Sequence, residues 1–154
     1  MTKDTGKVAP MAAVTVPPER IVAEARRWLG VPWRHQGRGR EGLDCAGLVV
    51  RVARALDLGD HDHTGYGRHA EGQGFVAHFS DHLDPLAIPA ARDGDVALFA
   101  ERAYPCHCAI LSTRHGRPHL IHAHAMRRAV IEEPFAGEWP DRLVRVFRFR
   151  QPGA

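Results

Sequence analysis

The sequence predicts an α+β domain in which N-terminal helices pack on one face of a mainly antiparallel sheet. Three observations predict it. Apolar residues recur at helical spacing in two segments before residue 60, strand-like runs parted by turn residues fill the chain after Asp93, and no internal repeat is visible. With 154 residues, 44% of them hydrophobic and 25% charged, the chain has the composition of one globular domain. Disordered and fibrous classes are excluded. No apolar run approaches the ~18 residues of a membrane-spanning helix.

Residues 1–17 read as a flexible or partner-docked arm ahead of a single domain over 18–154. Lys3 and Lys7 precede a mildly apolar stretch, Val8 to Val16. Pro10 interrupts that stretch, it holds no leucine, and no Ala-x-Ala site precedes Pro17-Pro18, so it is not read as a signal peptide. After the prolines, Ile21, Ala25, Trp28 and Leu29 recur at three- and four-residue spacing, and Gly30 stands where a helix stop belongs. Pro32 then forces an extended or turned backbone, and residues 37–42 form a loop of glycine and arginine. A second helix follows. Asp44 is its N-cap, Leu48, Val49, Val52 and Leu56 form its apolar stripe, and Gly59 is a C′ residue. Residues 59–92, rich in glycine and closed by Pro85 and Pro89, read as a surface excursion shaping one wall of a cleft, with a short helix about Phe75 to Leu83. Asp93-Gly94-Asp95 turns into a strand over 96–99. Further strands fall at 106–111, 120–125, 129–132 and 143–149.

Three cysteines are too few and too odd a number for a disulfide scaffold, so each thiol is read for packing or chemistry. The net charge is +3, and Lys3 and Lys7 are the only lysines among 21 basic residues. No helix carries a basic face interleaved with aromatics, and Arg38-Gly39-Arg40 reads as a solvated turn, so nucleic acid is not an expected partner. An acidic surface such as a cell wall suits the charge balance.

A nucleophilic cysteine needs a lowered thiol pKa, a nearby imidazole and a group that orients the imidazole. Cys45 lies in the first turn of the second helix, facing unpaired amides and the positive end of the dipole. The strand pair 106–111 and 119–125 supplies the imidazoles. Side chains alternate along a strand, so matching apolar with apolar puts Cys106, Cys108, Ile110, Ile121 and Ala123 in the core. His107 and His122 are then together on the opposite face. A zinc set of Cys106, Cys108, His122 and His124 requires the other registration, which exposes Ile110 and Ile121. No metal is therefore expected. Asp60-His61-Asp62-His63 with His69 reads as solvated loop residues, some of them lining the cleft.

These residues resemble a known family. Asp44-Cys45-Ala46-Gly47-Leu48-Val49, then Gly94-Asp95-Val96, then His107 opening a strand, then Leu120-Ile121-His122-Ala123 is an order similar to the NlpC-type (NlpC/p-sixty) murein cysteine peptidases. Gly30-Val31-Pro32-Trp33-Arg34 upstream and Trp139 with Arg142 downstream fit the same pattern. The Pro-Trp-Arg-His-Gln stretch and the Phe147-Arg148-Phe149 ending look most like the subgroup encoded with phage tails and gene-transfer agents. The resemblance implies a papain-like core and hydrolysis of stem-peptide bonds in peptidoglycan, usually between D-γ-glutamyl and a diamino acid, with no cofactor. Carried over, Cys45 is the nucleophile, His107 the general base and acid, and His122 its orienting residue. The family commonly has tyrosine where Trp33 stands and serine where Ala46 stands. Trp33 is then an oxyanion candidate through its ring N–H, and Asp44 either caps the helix or grips a substrate amine. The implied partners are peptidoglycan stem peptides and other tail-tip or baseplate proteins. The implied location is a virion tail tip acting on the wall, after synthesis in the cytoplasm. The rival readings are a tail-tip component with weak or vestigial activity, and a papain-like amidase or acyltransferase.

Overall fold

The computed structural model describes residues 6, 14–66, 73–101 and 104–153. The first helix, α1 (Pro18–Arg26), opens on a proline, whose missing N–H has no helical partner to lose at that position. It buries Ile21, Val22 and Ala25. The following turn buries Trp28 and ends at Gly30, whose φ of 85° supplies the expected stop. Of the N-terminal arm, residues 1–5 and 7–13 lie outside the described residues. Val16 is buried, and its N–H donates to Gln151 Oε1 at 2.7 Å.

Two short strands, β1 (Arg38–Gly39) and β2 (Gly42–Leu43), pair within the glycine–arginine loop, and β2 runs directly into α2 (Cys45–Ala55). Gly47 is what lets that loop lie on the helix. A Cβ there would collide with the Gly37 carbonyl and press on Arg38 and Asp44. The helix closes earlier than Gly59. Asp57 takes φ 56°, its N–H donates to the Arg54 carbonyl at 3.3 Å, and the Leu58 N–H donates to the Ala53 carbonyl at 2.8 Å. Aspartate tolerates the left-handed conformation, and buried Leu58 seals the end, so no glycine is required.

The remaining elements are α3 (Gln73–Ser80), β3 (Leu83–Leu86), β4 (Val96–Glu101), β5 (Tyr104–Arg114), β6 (Arg117–His124), β7 (Ala129–Pro134), α4 (Trp139–Arg142) and β8 (Leu143–Phe149). Six strands form one antiparallel sheet in the order β3-β8-β4-β5-β6-β7. β3 lies at its edge, where Pro85 removes no ladder bond that a second neighbour would need. Buried Asp95, at the turn into β4, accepts both arms of the Arg148 guanidinium at 2.8 and 2.9 Å, tying that turn to β8.

Ile110 and Ile121 are Cα partners, the register expected from the apolar match. One sheet face carries Leu98, Cys108, Ile110 and Ile121 against Leu48 and Val52 of α2, all fully buried. Each aliphatic side chain buried this way stabilises the fold by about 1.5–3 kcal/mol. The other face is also covered. Ala97, Phe99, Ala109 and Leu120 pack beneath Phe135, Trp139 and Leu143. Cys106 sits at the outer end of β5, half-buried rather than in the core, with its thiol 3.8 Å from Glu101 Oε2. Among the described residues, no helix is long and apolar enough to cross a membrane.

Candidate active site

Asp44 builds the site's floor. Its Oδ1 accepts from the Gly47 N–H at 2.8 Å, the N-cap bond, and from Arg38 Nη1 at 2.9 Å. Its Oδ2 accepts from the Gln36 N–H at 2.9 Å and from the Tyr66 hydroxyl at 2.5 Å. That hydroxyl in turn accepts from Arg38 Nη2 at 2.7 Å. Burial, then the Asp44 hydrogen bond, raises the Tyr66 pKa, so the phenol stays a donor. Asp44 is 4% exposed, and its four donors replace the water it has lost.

With this cap in place, Cys45 stands at the first position of α2, half-buried. Between β5 and β6 the ladder runs from Arg114↔Arg117 only to Ile110↔Ile121. The Cys45 thiol pKa lies well below that of a free thiol. The first cause is a hydrogen bond from the Cys108 thiol, which burial opposes, followed by the hydrogen bond and positive charge of His107. Cys108, fully buried, is pushed well above its ordinary value by burial and by the Cys45 charge. The negative charge therefore rests on Cys45, and Cys108 is the donor.

His107 and His122 meet as the strand parity predicts, with His107 Nε2 and His122 Nδ1 2.7 Å apart. His122 is 0% exposed. Burial first, then the neighbouring His107, His124 and Arg142, pushes its pKa down to about 2, so it is neutral. The sequence reading missed Glu133, half-buried on β7, whose Oε1 lies 3.1 Å from His122 Nε2 and accepts from the Trp139 indole N–H at 2.7 Å. A carboxylate acceptor fixes the tautomer. The proton of His122 is on Nε2, its Nδ1 accepts from His107 Nε2–H, and His107 Nδ1 is left to face the thiol. Trp139 stacks on His107 with ring centroids 5.6 Å apart and lies edge-on to His122 at 5.1 Å, which locks both rings.

Trp33 is half-buried against the main apolar cluster. Its backbone N–H donates to the Arg128 carbonyl at 3.0 Å, and its backbone bridges Leu43, the residue before Asp44. The four residues weighed for zinc are not gathered, because Cys108 packs against α2 while His122 lies over the other sheet face. Among the described residues, His122, His124 and Glu133 place ligand atoms within 4.8 Å of one another. A cation there would compete with His122 for the Glu133 oxygen and disturb the tautomer just derived. Of the histidine loop, His61 and His63 are exposed as expected but not solitary. His61 stacks on His82 and His63 on His78 at centroid distances of 3.4 and 4.1 Å, around a pocket of about 170 Å³ between α2 and α3. His69 lies outside the described residues.

A cysteine heading a helix that packs on an antiparallel sheet, with an imidazole pair on adjacent strands, defines a papain-like α+β fold. A family model, that of the NlpC/P60 family, matches residues 30–148, and the chain belongs to that family. Its fold is similar to an NlpC/P60 family protein from Bacillus cereus, at 17% identity over 89% of this chain and 41% of that one, with TM-score 0.65. It is also similar to the NlpC/p60 domain of the peptidoglycan hydrolase SagA, at 22% identity over 86% of this chain and 98% of that one, with TM-score 0.61. An N-acetylmuramoyl-L-alanine amidase from Bacteroides uniformis shares the fold at 11% identity over 86% of this chain and 98% of that one, with TM-score 0.66. The chain spans less than half the length of the Bacillus cereus protein. No curated protein sequence matches it.

Proposed function

We propose that this protein is a cysteine endopeptidase that cuts peptide bonds in peptidoglycan stem peptides, with Cys45, His107 and His122 as its catalytic unit. The observation that carries the reading is the 2.7 Å contact of His107 Nε2 with His122 Nδ1, which leaves His107 Nδ1 to move a proton, together with the lowering of the Cys45 thiol pKa to which His107 contributes. Cys45 thiolate attacks the scissile carbonyl, the His107 imidazolium protonates the departing amine, and water deprotonated by His107 then releases the acyl group. His122 orients His107. The Cys45 backbone N–H, at the positive end of α2, receives the developing oxyanion, and the Trp33 indole N–H is assigned as its second donor. Asp44 is assigned to capping, because both of its oxygens are already occupied by donors.

The scissile bond is assigned as D-γ-glutamyl–diamino acid, and delivery to the wall as part of a phage tail or gene-transfer particle. Both rest on the motif resemblance. Mass spectrometry of purified peptidoglycan after digestion tests the bond. Fragments ending in D-γ-glutamate support the assignment, whereas whole stem peptides freed from muramic acid support the amidase reading that the Bacteroides neighbour keeps open. Zymography of the chain beside the purified particle tests delivery: clearing by both supports the tail assignment, and clearing by the chain alone opposes it.

A further inference from the structure

His124 has no part in the proposed mechanism, yet it stands beside His122, which does. The two are two residues apart on β6 and so share a face. Glu133 reaches that face from β7, two residues along from Ile131, the Cα partner of His122. One donor atom from each of His122, His124 and Glu133 lies within 4.8 Å of the other two. His122 Nε2 and Glu133 Oε1 are 3.1 Å apart, close to the span of about 3.3 Å between two ligands on one tetrahedral zinc ion. The His122 and His124 rings meet edge to face with centroids 5.0 Å apart. His124 is half-buried, and its one hydrogen bond among the described residues, from the Arg127 N–H to Nδ1 at 3.2 Å, is exposed to water. A modest rotation of that ring completes the set.

We propose that His122, His124 and Glu133 form a binding site for a zinc ion that reversibly inhibits the enzyme. Two imidazoles and one carboxylate, with a fourth position left for water, make a donor set that zinc accepts. Calcium and magnesium, which take oxygen ligands, do not favour it. The Trp139 indole N–H, on Glu133 Oε1 at 2.7 Å, orients the carboxylate from outside, as outer hydrogen bonds do at metal sites. The binding is loose by construction. Three side chains meet there among the described residues, and the positive charges of Arg142 and Arg127 bear on His124, with Arg142 bearing on His122 as well. A cation held this way exchanges with solution, which suits a switch better than a structural centre.

The inhibition follows from where the ring protons sit. With its Nε2 lone pair on zinc, neutral His122 carries its proton on Nδ1. That N–H faces His107 Nε2 at 2.7 Å, so His107 must accept there and keep its own proton on Nδ1. The hydrogen bond between the two rings is reversed. His107 Nδ1, already protonated, takes no proton from water. A proton on Nε2 would set two N–H groups against each other, so the imidazolium that protonates the leaving amine is lost too. Zinc binding to the thiolate–imidazolium form therefore releases a proton to solvent, the one His107 Nε2 held.

The inhibition rests on the proposed role of His107 in hydrolysis, whereas zinc binding does not, and the test reads the two apart. Binding of zinc chloride to the full chain is measured by competition with a chromophoric chelator, and cobalt(II) chloride serves as a spectroscopic probe. Zinc binding is expected in the parent and in Cys45→Ala, lost in folded His124→Ala, and unchanged in the double variant His61→Ala, His78→Ala. Cobalt should give visible ligand-field bands with no thiolate-to-cobalt charge-transfer band. On peptidoglycan, hydrolysis by the parent should fall by about tenfold or more at saturating zinc and recover with EDTA, while zinc should change the rate of His124→Ala by less than about twofold. A parent that binds zinc in this pattern but hydrolyses nothing without it would support the site and contradict the proposed function. Zinc binding that survives in His124→Ala, that is lost in Cys45→Ala, or that leaves hydrolysis by the parent undiminished would overturn the proposal.

Discussion

The described residues hold two gatherings of histidine, and they differ in almost everything but residue type. Around β5 to β7, His107 and His122 are joined nitrogen to nitrogen at 2.7 Å and both lie against Trp139, with His122 buried and anchored on Glu133. Beside α3, His61, His63, His78 and His82 stack face to face, and both His61 and His63 are exposed. Stacked rings share apolar surface and set no tautomer. The bonded pair fixes which nitrogen carries a proton and which faces the thiol. Imidazole density therefore says little about chemistry, and the orientation of each ring nitrogen says most of it.

The sharpest way to break that contrast is to remove one ring from each set. His107→Ala should lower turnover on peptidoglycan by about 10³-fold or more, while the double variant His61→Ala, His78→Ala should stay within about threefold of the parent. Equal losses would erase the distinction. Glu133→Gln comes next. A neutral amide holds the His122 tautomer less firmly, so kcat should fall by about tenfold with KM little changed, the size of effect typical of an orienting partner. A fall confined to KM would place Glu133 in substrate binding instead.

Stability against pH sharpens the comparison further. His122 is neutral in the fold, with its pKa at about 2, and takes a proton near pH 6.5 when unfolded. The unfolded chain then binds more protons, so this stability is complete above about pH 6.5 and falls as the pH drops, by up to ~1.4 kcal/mol per unit from this group. His61 and His78 are lowered too, by burial first and then by neighbouring histidines, but solvent screens an exposed stack and their share is small. Thermal melts between pH 7 and 5 should lose stability steeply, and His122→Asn should flatten the slope more than His61→Asn. Asp44→Ala removes the cap, at about 1–2 kcal/mol, and also strips Gln36, Arg38 and Tyr66 of their acceptor, read together as a lower Tm.

Much of the bonded cluster was legible in the sequence, because it rests on local rules. An N-cap aspartate before an apolar stripe fixed where Cys45 sits, and the period of two along 106–111 and 119–125 brought His107 to His122. Glu133 escapes because the sequence pattern ends β7 at Glu132, two residues before the strand's end at Pro134. Strand parity through Ile131, the Cα partner of His122, would have put Glu133 on the histidine face. The stacked cluster was illegible for a different reason. It joins a loop to α3 and its following turn across a gap that no periodicity spans. β3 was hidden by Pro85, which only an edge strand accepts, and α4 is a helix of a single turn.

One measurement bears most directly on the claim that the Cys45 sulfur performs hydrolysis. It is the release of new amino groups from purified peptidoglycan by the parent chain and by Cys45→Ala, with circular dichroism and Tm showing both folded. The account predicts steady release by the parent and none above background by the variant. Undiminished release by folded Cys45→Ala would contradict it.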